Sequence, residues 1–271
     1  MAAPTNQPPI RLERSATGVA TLTLSRPEHK NVITHEFAQS LLDHCAALRS
    51  DSQVRAVLLR STGPMFCAGA DVVEMARHLD DLPSYVNGLI TLAHEAMLAL
   101  NRLPAPIIAC LQGVAAGGGA SLALACDIVV AARSARLVMA YPRLGTTPDC
   151  GLSHSLSQRL GPQRALKVFL ADGEMDASQA HALGLVEQVA DDGQVLEVAE
   201  NMAEQMAQLP PAAVSGAKRL FIEGARSALQ AQLERERLMF LRCAETSEFR
   251  ERVLAFVESR RSVQGTNARR R

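Results

Sequence analysis

The sequence has no excess of charge of either sign, and its cysteines form no recognisable site. Lys plus Arg number 28 and Asp plus Glu number 28, so composition favours neither nucleic acid nor an anionic membrane as a partner. The six cysteines are scattered, with no CxxC pair and no His/Cys cluster, which argues against a zinc site and a disulfide framework. We therefore predict no bound metal, and buried thiols in a reducing compartment.

Signals for export and for membrane insertion are also missing. Residues 1–10 are polar and contain proline, with no apolar segment behind a basic start. The apolar stretches are interrupted well before the roughly 20 residues that a membrane span needs. We expect a cytoplasmic protein without membrane contact.

Glycine-rich nucleotide motifs of the usual kinds are absent. No lysine follows Gly118 or Gly119 as a phosphate-binding loop requires, and the sequence contains no GxGxxG pattern. Nucleotide hydrolysis and hydride transfer on a dinucleotide are therefore disfavoured, and we predict no separate cofactor.

What the chain does contain is an alternation of strand-like and helix-like segments. Its 271 residues are 48% hydrophobic and 21% charged, which suits a globular protein with a substantial core. Thr34 is suited to cap a helix, with Phe37 packing on it. The alternation predicts an α/β core, with strands at 10–14, 19–25, 54–60, 106–111 and 128–132, and helices at 34–48, 84–101 and 117–125.

The C-terminal part, from about residue 195, is predicted to be almost wholly helical. It carries two apolar stripes at helical spacing, namely Leu229, Leu233 and Phe240, and Phe249, Val253 and Phe256. Such stripes must be buried. Packing on the chain's own core and docking on a neighbouring subunit both satisfy this requirement, and we divide the chain into 1–195 and 196–271.

Two glycine-rich turns, at residues 65–72 and 112–120, each follow a strand-like run and precede a helix-like one. Helix N-termini leave N–H groups without partners, and small residues let the backbone approach a ligand closely. Glycine clusters taken singly are usually plain turns. Brought together, these two turns could offer two N–H donors to one developing oxyanion.

Taken together and in order, the motifs resemble the crotonase (enoyl-CoA hydratase/isomerase) superfamily over nearly the whole chain. The matching segments are Ser25-Arg26-Pro27 with Asn31, 66–72, Gly117-Gly118-Gly119 leading to Cys126-Asp127, Leu144-Gly145, Arg159-Leu160-Gly161, 177–186 and 255–260. The resemblance implies an α/β crotonase-like spiral of ββα turns with a C-terminal helical trimerisation region. It also implies acyl-CoA thioester substrates and a homotrimer or dimer of trimers.

The resemblance also carries site residues across, one position at a time. Ala68 and Gly118 match the positions whose N–H groups form the family's oxyanion hole, and Gly117 adjoins them. Further substrate-binding positions are Ala70, Asp71 and Val72 along the path of the adenine and pantetheine, and Arg26, His29 and Lys30 at the nucleotide end.

Two glutamates typical of the family's hydratases are missing. Ser121 stands three residues beyond the oxyanion glycine, and Tyr141 stands four residues before Gly145. A pair of carboxylates positions and activates water for addition to a double bond, which serine and tyrosine cannot do. Simple hydration is thereby disfavoured. Ser121 could still hold a water or a substrate hydroxyl, and Tyr141 could orient the substrate.

Asp149 remains as a candidate acid–base group. It matches the single catalytic carboxylate of some isomerases of the superfamily, where one carboxylate suffices for a 1,3-proton shift. Burial beside an apolar acyl chain would raise its pKa into a useful range. The segment Thr147-Pro148-Asp149 also suits a plain helix start, with Thr147 as the cap.

Other nearby groups are weaker candidates. Cys67 and Cys150 are interpreted as buried thiols, and His94 and His154 as packing groups on helices. The leading hypothesis is an enoyl-CoA isomerase in which Asp149 moves the proton. The alternatives are an enoyl-CoA hydratase or lyase, and a non-catalytic acyl-CoA-binding homologue.

Overall fold

The computed structural model describes residues 7–268, without the side chains of residues 222–228 and 260–268. Two sheets organise it. The large sheet has the order β1-β2-β3-β5-β7-β10 and the small sheet the order β4-β6-β8-β9. The strands are β1 Ile10–Arg14, β2 Val19–Leu24, β3 Ala56–Ser61, β4 Met65–Cys67, β5 Ile107–Leu111, β6 Val114–Ala116, β7 Ile128–Ala132, β8 Arg136–Val138, β9 Glu174–Asp176 and β10 Gln188–Ala190.

The helices that cover the sheets alternate with pairs of strands. They are α1 His35–Ser50, α2 Val72–Met75, α3 Leu82–Asn101, α4 Gly118–Leu124, α5 Leu152–Leu160, α6 Pro162–Lys167, α7 Ala177–Ala182, α8 Val195–Ala207, α9 Pro211–Ala244 and α10 Ser247–Ala268. The predicted helix at residue 34 is confirmed, because the Thr34 hydroxyl accepts the N–H of Phe37 at 3.1 Å.

The chain order produces a repeated turn of two strands and a helix. A strand of the large sheet is followed at once by one of the small sheet, in the pairs β3 and β4, β5 and β6, and β7 and β8. Apart from the β1–β2 hairpin and the β8–β9 pair, the strands run parallel. Parallel strands covered on both faces read as continuous apolar runs, as β5 does. The predicted spiral of ββα turns is confirmed.

The C-terminal helices pack on their own chain. Leu229, Leu233 and Phe240 of α9 and Phe249 and Val253 of α10 are buried, which supports the first of the two packing modes left open by the sequence. The boundary at residue 195 falls at the first residue of α8, which packs on the large sheet. The helices that leave the sheet are α9 and α10. None of the helices in the part of the chain that the structure describes could span a membrane.

A buried ion pair joins α9 to the large sheet. The Lys218 ammonium lies 2.7 Å from Asp127 Oδ2 and 2.9 Å from the carbonyl of Ala105. The same Asp127 oxygen accepts the N–H of Ile107, the first residue of β5, at 2.7 Å. Asp127 therefore fixes both the start of a central strand and the position of the long helix.

We predict that Asp127→Asn destabilises the fold. The substitution removes the carboxylate charge that lies 2.7 Å from the buried Lys218 ammonium, and breaking a buried pair in this way costs about 3 kcal/mol or more. Urea unfolding at neutral pH measures the change. Asp191→Asn is the control, since its pair with Arg133 is exposed and is worth less than about 1 kcal/mol. Equal losses of unfolding free energy in the Asp127→Asn and Asp191→Asn variants would contradict the role of the buried pair.

Candidate active site

A cavity of about 590 Å³ lies between the small sheet, α3 and the C-terminal helices. Its buried end is formed by the two glycine-rich turns and by the segment that leads into α5. Apolar side chains of α2, α3, α9 and α10 make up much of its wall, including Met75, Leu89, Ile90, Phe240 and Phe249. Such a cavity suits an extended ligand with an apolar end.

The first amide donor is at the start of α4. Gly118 is the first residue of that helix, so its N–H has no partner within the helix, and Gly118 lines the cavity. Glycine is required next to it. A Cβ at Gly119 would lie 2.2 Å from the carbonyl oxygen of Cys67. This close approach of α4 to β4 brings the two turns together, as the sequence predicts.

The amide of Ala68 is not the second donor, so this assignment from the sequence is wrong. Its N–H donates to the carbonyl of Lys30 at 3.0 Å and is therefore already satisfied. Ala70 lies two residues after Ala68, and both of its neighbours pair with Ile33. The carbonyl of Ile33 accepts the N–H of Asp71, and the N–H of Ile33 donates to the carbonyl of Gly69. The N–H of Ala70 donates no hydrogen bond within the described residues, and Ala70 lines the cavity.

Asp149 lies at the buried end of the cavity, held by the two residues that replace the hydratase glutamates. The Tyr141 hydroxyl donates to Asp149 Oδ1 at 2.5 Å and lies 2.8 Å from Ser121 Oγ. The Ser121 hydroxyl in turn donates to the backbone carbonyl of Asp149 at 3.1 Å. The three residues therefore form one buried hydrogen-bonded cluster.

Ser121 itself does not line the cavity, which corrects its assignment as a substrate contact. Its side chain is fully buried behind Tyr141 and Asp149, and its hydroxyl is engaged with both. Ser121 therefore acts on a ligand only through these two side chains. Tyr141 and Gly117 do line the cavity.

The electrostatics of this cluster favour a neutral or weakly acidic carboxyl group. Burial raises the pKa of Asp149 to about 6, and the hydrogen bonds from the Tyr141 and Cys150 side chains partly oppose this rise. Burial and the neighbouring Asp149 also raise the pKa of Tyr141 well above its usual value, so Tyr141 stays a hydrogen-bond donor. A carboxyl group with a pKa near 6 can both accept and return a proton near neutral pH.

The turn after Asp149 is held by two side chains that the sequence did not single out for this role. His94 Nε2, on α3, accepts the N–H of Cys150 at 3.1 Å. Glu236, on α9, accepts the N–H of Gly151 at 2.7 Å and that of Ser153 at 3.0 Å. Both partners are distant in sequence, so no local pattern could have identified them.

The predicted helix start at Thr147 is wrong. Helix α5 begins at Leu152. The residue at its N-cap position is Gly151, which has no side chain that could accept a hydrogen bond from the helix. Glu236 takes the place of a local cap by binding the N–H groups of Gly151 and Ser153. Asp149 thus lies before the helix, which leaves its carboxyl group free to face the cavity.

The residues expected at the nucleotide end have different outcomes. The Arg26 guanidinium binds both carboxylate oxygens of Glu36, at 2.5 and 2.6 Å, and its contact with a ligand stays a prediction. Asp71 caps α2 by accepting the N–H of Val73 at 3.0 Å and does not line the cavity. Val72 does line it. His29 and Lys30 have exposed side chains outside the cavity lining, and their role stays a prediction.

We predict that Asp149→Asn stabilises the folded protein at pH 8. An ordinary aspartate has a pKa of 3.8, so the folded state binds this proton more tightly than the unfolded state does. Stability from this group is therefore present at low pH and is lost as pH rises through 4 to 6. The loss amounts to at most about 3 kcal/mol. Urea unfolding at pH 8 and pH 4 measures the difference, and an Asn variant less stable than the wild type at pH 8 would contradict it.

Comparison with known proteins places this geometry in a family. Residues 14–266 match the family model described as enoyl-CoA hydratase/isomerase. The chain is 36% identical to the 1,2-epoxyphenylacetyl-CoA isomerase of Escherichia coli K12, covering 90% of this chain and 93% of the relative. It is 33% identical to the 2,3-dehydroadipyl-CoA hydratase of the same organism, covering 89% and 93%.

Solved structures agree with the sequence relatives. The chain superposes on an enoyl-CoA hydratase/isomerase from Pseudoalteromonas atlantica T6c with a TM-score of 0.81 and 32% identity, covering 93% of this chain and 97% of that one. The match extends over both sheets and the C-terminal helices. The chain belongs to the enoyl-CoA hydratase/isomerase (crotonase) family of enzymes.

Proposed function

We propose that the protein isomerises a double bond in an enoyl-CoA thioester by a proton shift. The observation that carries the proposal is the cluster around Asp149. The two positions that hold glutamates in a typical hydratase hold Tyr141 and Ser121, and both hydroxyls bond to Asp149. One carboxyl group therefore occupies the place where hydration uses two.

The amides of Ala70 and Gly118 supply the electrophilic half of the reaction. Donating to the thioester oxygen, they stabilise the negative charge that develops there when a proton leaves an adjacent carbon. Asp149 takes a proton from the α-carbon of a 3-enoyl thioester, or from the γ-carbon of a 2-enoyl thioester in the reverse direction. The electron pair spreads over the dienolate, and the same carboxyl group returns the proton at the other carbon.

A second carboxylate that lines the cavity is not suited to this step. Glu174 is paired with Arg136 at 2.5 Å and with Arg143 at 3.5 Å, and both arginines are more than half exposed. Both of its carboxylate oxygens are therefore engaged by guanidinium groups at the solvent-exposed edge of the cavity. Asp149 is the better candidate because its nearest partners are uncharged.

Hydration is the second candidate, because a hydratase is among the relatives. It would need a water held by Tyr141 or Ser121, whose hydroxyls are instead bonded to Asp149.

Several further properties remain predictions from the family resemblance. They are the CoA portion of the substrate, contacts from His29 and Lys30, a homotrimer or dimer of trimers, and a cytoplasmic location.

We predict that Asp149→Asn lowers the kcat for isomerisation by about 10²- to 10⁴-fold, because the asparagine amide cannot accept the proton. The assay follows the conjugated thioester absorbance that appears when a 3-enoyl-CoA becomes a 2-enoyl-CoA. Asp191→Asn serves as the control and keeps wild-type activity. An Asp149→Asn variant that retains activity would show that another group is the base.

The same assay separates the alternatives. A hydratase would bleach the absorbance of a 2-enoyl-CoA, whereas an isomerase leaves most of it intact. In heavy water, the wild type should exchange the α-proton of the substrate for deuterium. Binding of acyl-CoA without isomerisation or exchange would contradict the proposal and indicate a non-catalytic homologue.

We predict that kcat falls as pH drops through about 6, since Asp149 must be ionised to accept a proton. Tyr141→Phe removes a hydrogen bond that lowers the pKa of Asp149, so the acid limb of the pH profile moves to higher pH. Tyr85→Phe is the matched control, because Tyr85 stacks on His78 instead, and it leaves the limb in place. A limb that stays fixed in Tyr141→Phe would refute this pairing.

A further inference from the structure

The turn that carries Asp149 is fixed by side chains from two helices that are remote in sequence. Cys150 N–H donates to His94 of α3, and Gly151 N–H donates to Glu236 of α9. Glu236 Oε1 also accepts the backbone N–H of Ser153 at 3.0 Å and its hydroxyl at 2.5 Å. One carboxylate therefore receives three hydrogen bonds from the four residues that follow Asp149.

This turn needs such support because its backbone conformation is unfavourable. Cys150 has a φ of 54° and Gly151 a φ of 80°, both in the left-handed region, where a residue such as cysteine is strained. A Cβ at Gly151 would approach Leu229 Cδ1 to 3.1 Å. Residues held in this region persist when the surrounding contacts determine the conformation, and Glu236 provides most of the polar contacts.

Glu236 is unusual for a buried acid because it has no cationic partner among the described ion pairs. It is 3% exposed, and the hydrogen bonds described for it come from two amides and one hydroxyl. Gln232 of the same helix donates to Ser153 Oγ at 2.7 Å and orients that hydroxyl toward Glu236. A buried carboxylate is costly to retain, and three directed donors offset this cost at the turn that leads from Asp149 into α5.

We infer that Glu236 is a positioning residue, which orients the carboxyl group of Asp149 toward the carbons adjacent to the thioester. The inference rests on the proposed function, because it assigns Asp149 the proton transfer. Glu236 lies outside the cavity lining and acts only through the turn. Misplacing a reacting group by about 1 Å is enough to lower a rate roughly 100-fold.

Glu236 lies close enough to Asp149 for the two carboxyl groups to interact. Burial raises the pKa of Glu236 to about 7, with Asp149 among the contributors, while its donors oppose the rise. The other titratable groups facing this pair are Tyr141, Cys150 with Cys67 behind it, and His94, which has Arg237 and Glu234 beside it. Burial and Arg237 lower the pKa of His94 to about 4, so His94 is neutral in the working range.

The test is Glu236→Gln, with Glu234→Gln as the matched control. Glu234 lies on the same helix, is more than half exposed, and pairs with Arg237. We expect Glu236→Gln to lower kcat by about 10- to 100-fold with KM changed less than about 2-fold. The Glu234→Gln variant should match the wild type in both kcat and KM.

A purely structural role for Glu236 would lower stability without lowering the kcat of the folded enzyme. Equal kcat values in the two variants overturn the inference, while Asp149→Asn still reports on the proposed function separately. If Glu236→Gln does not fold, Ser153→Ala takes its place. It removes one of the three donors and should lower kcat about 3- to 10-fold at unchanged KM. An unchanged kcat in a folded Ser153→Ala variant also overturns the inference.

Discussion

The site depends on one constraint: Asp149 is kept out of water, and among the residues that the structure describes no cation neutralises it. The Tyr141 hydroxyl donates to Asp149 Oδ1, and the Ser121 hydroxyl bonds to the Asp149 backbone carbonyl and to the Tyr141 hydroxyl. Hydrogen bonds of this kind orient a carboxyl group without fixing it in the ionised form. A neighbouring arginine, by contrast, would favour the ionised form. The result is an acid–base group that is available near neutral pH and directed at the cavity.

The cost of this arrangement appears in the surrounding structure. The turn after Asp149 has two consecutive left-handed residues, and it is contacted by a second buried carboxylate from α9 and by a histidine of α3 whose pKa is lowered. Each of these features destabilises an ordinary core. They are tolerated because α3, α9 and the small sheet converge on the turn, and this explains why the C-terminal helices must pack on their own chain to complete the site.

Local signals in the sequence were sufficient for the scaffold. Strands such as Ile107–Leu111 read as buried apolar runs, and the Thr34 cap depends only on residues three positions apart. Asp149 was identified through the resemblance to the family, since the local spacing alone suited a helix start. The missing glutamates, at Ser121 and Tyr141, were identified through the same resemblance.

Features that depend on distant pairing could not be read in this way. Backbone groups of Lys30 and Ile33 determine which amide of the first glycine-rich turn can donate to a ligand. The carbonyl of Lys30 accepts from Ala68, and Ile33 pairs with Gly69 and Asp71. The start of α5 at Leu152, in place of the expected Thr147, reflects a cap that comes from Glu236, 85 positions from Gly151. Neither pairing leaves a pattern in the residues around the turn itself.

The most direct measurement of the central claim is a crystal structure with a bound, unreactive acyl-CoA thioester. The account predicts that the thioester oxygen lies about 2.7–3.1 Å from the nitrogens of Ala70 and Gly118. It also predicts an Asp149 oxygen within about 3.5 Å of the α- or γ-carbon. A thioester oxygen bound elsewhere, or an Asp149 carboxyl group facing away from both carbons, would contradict it.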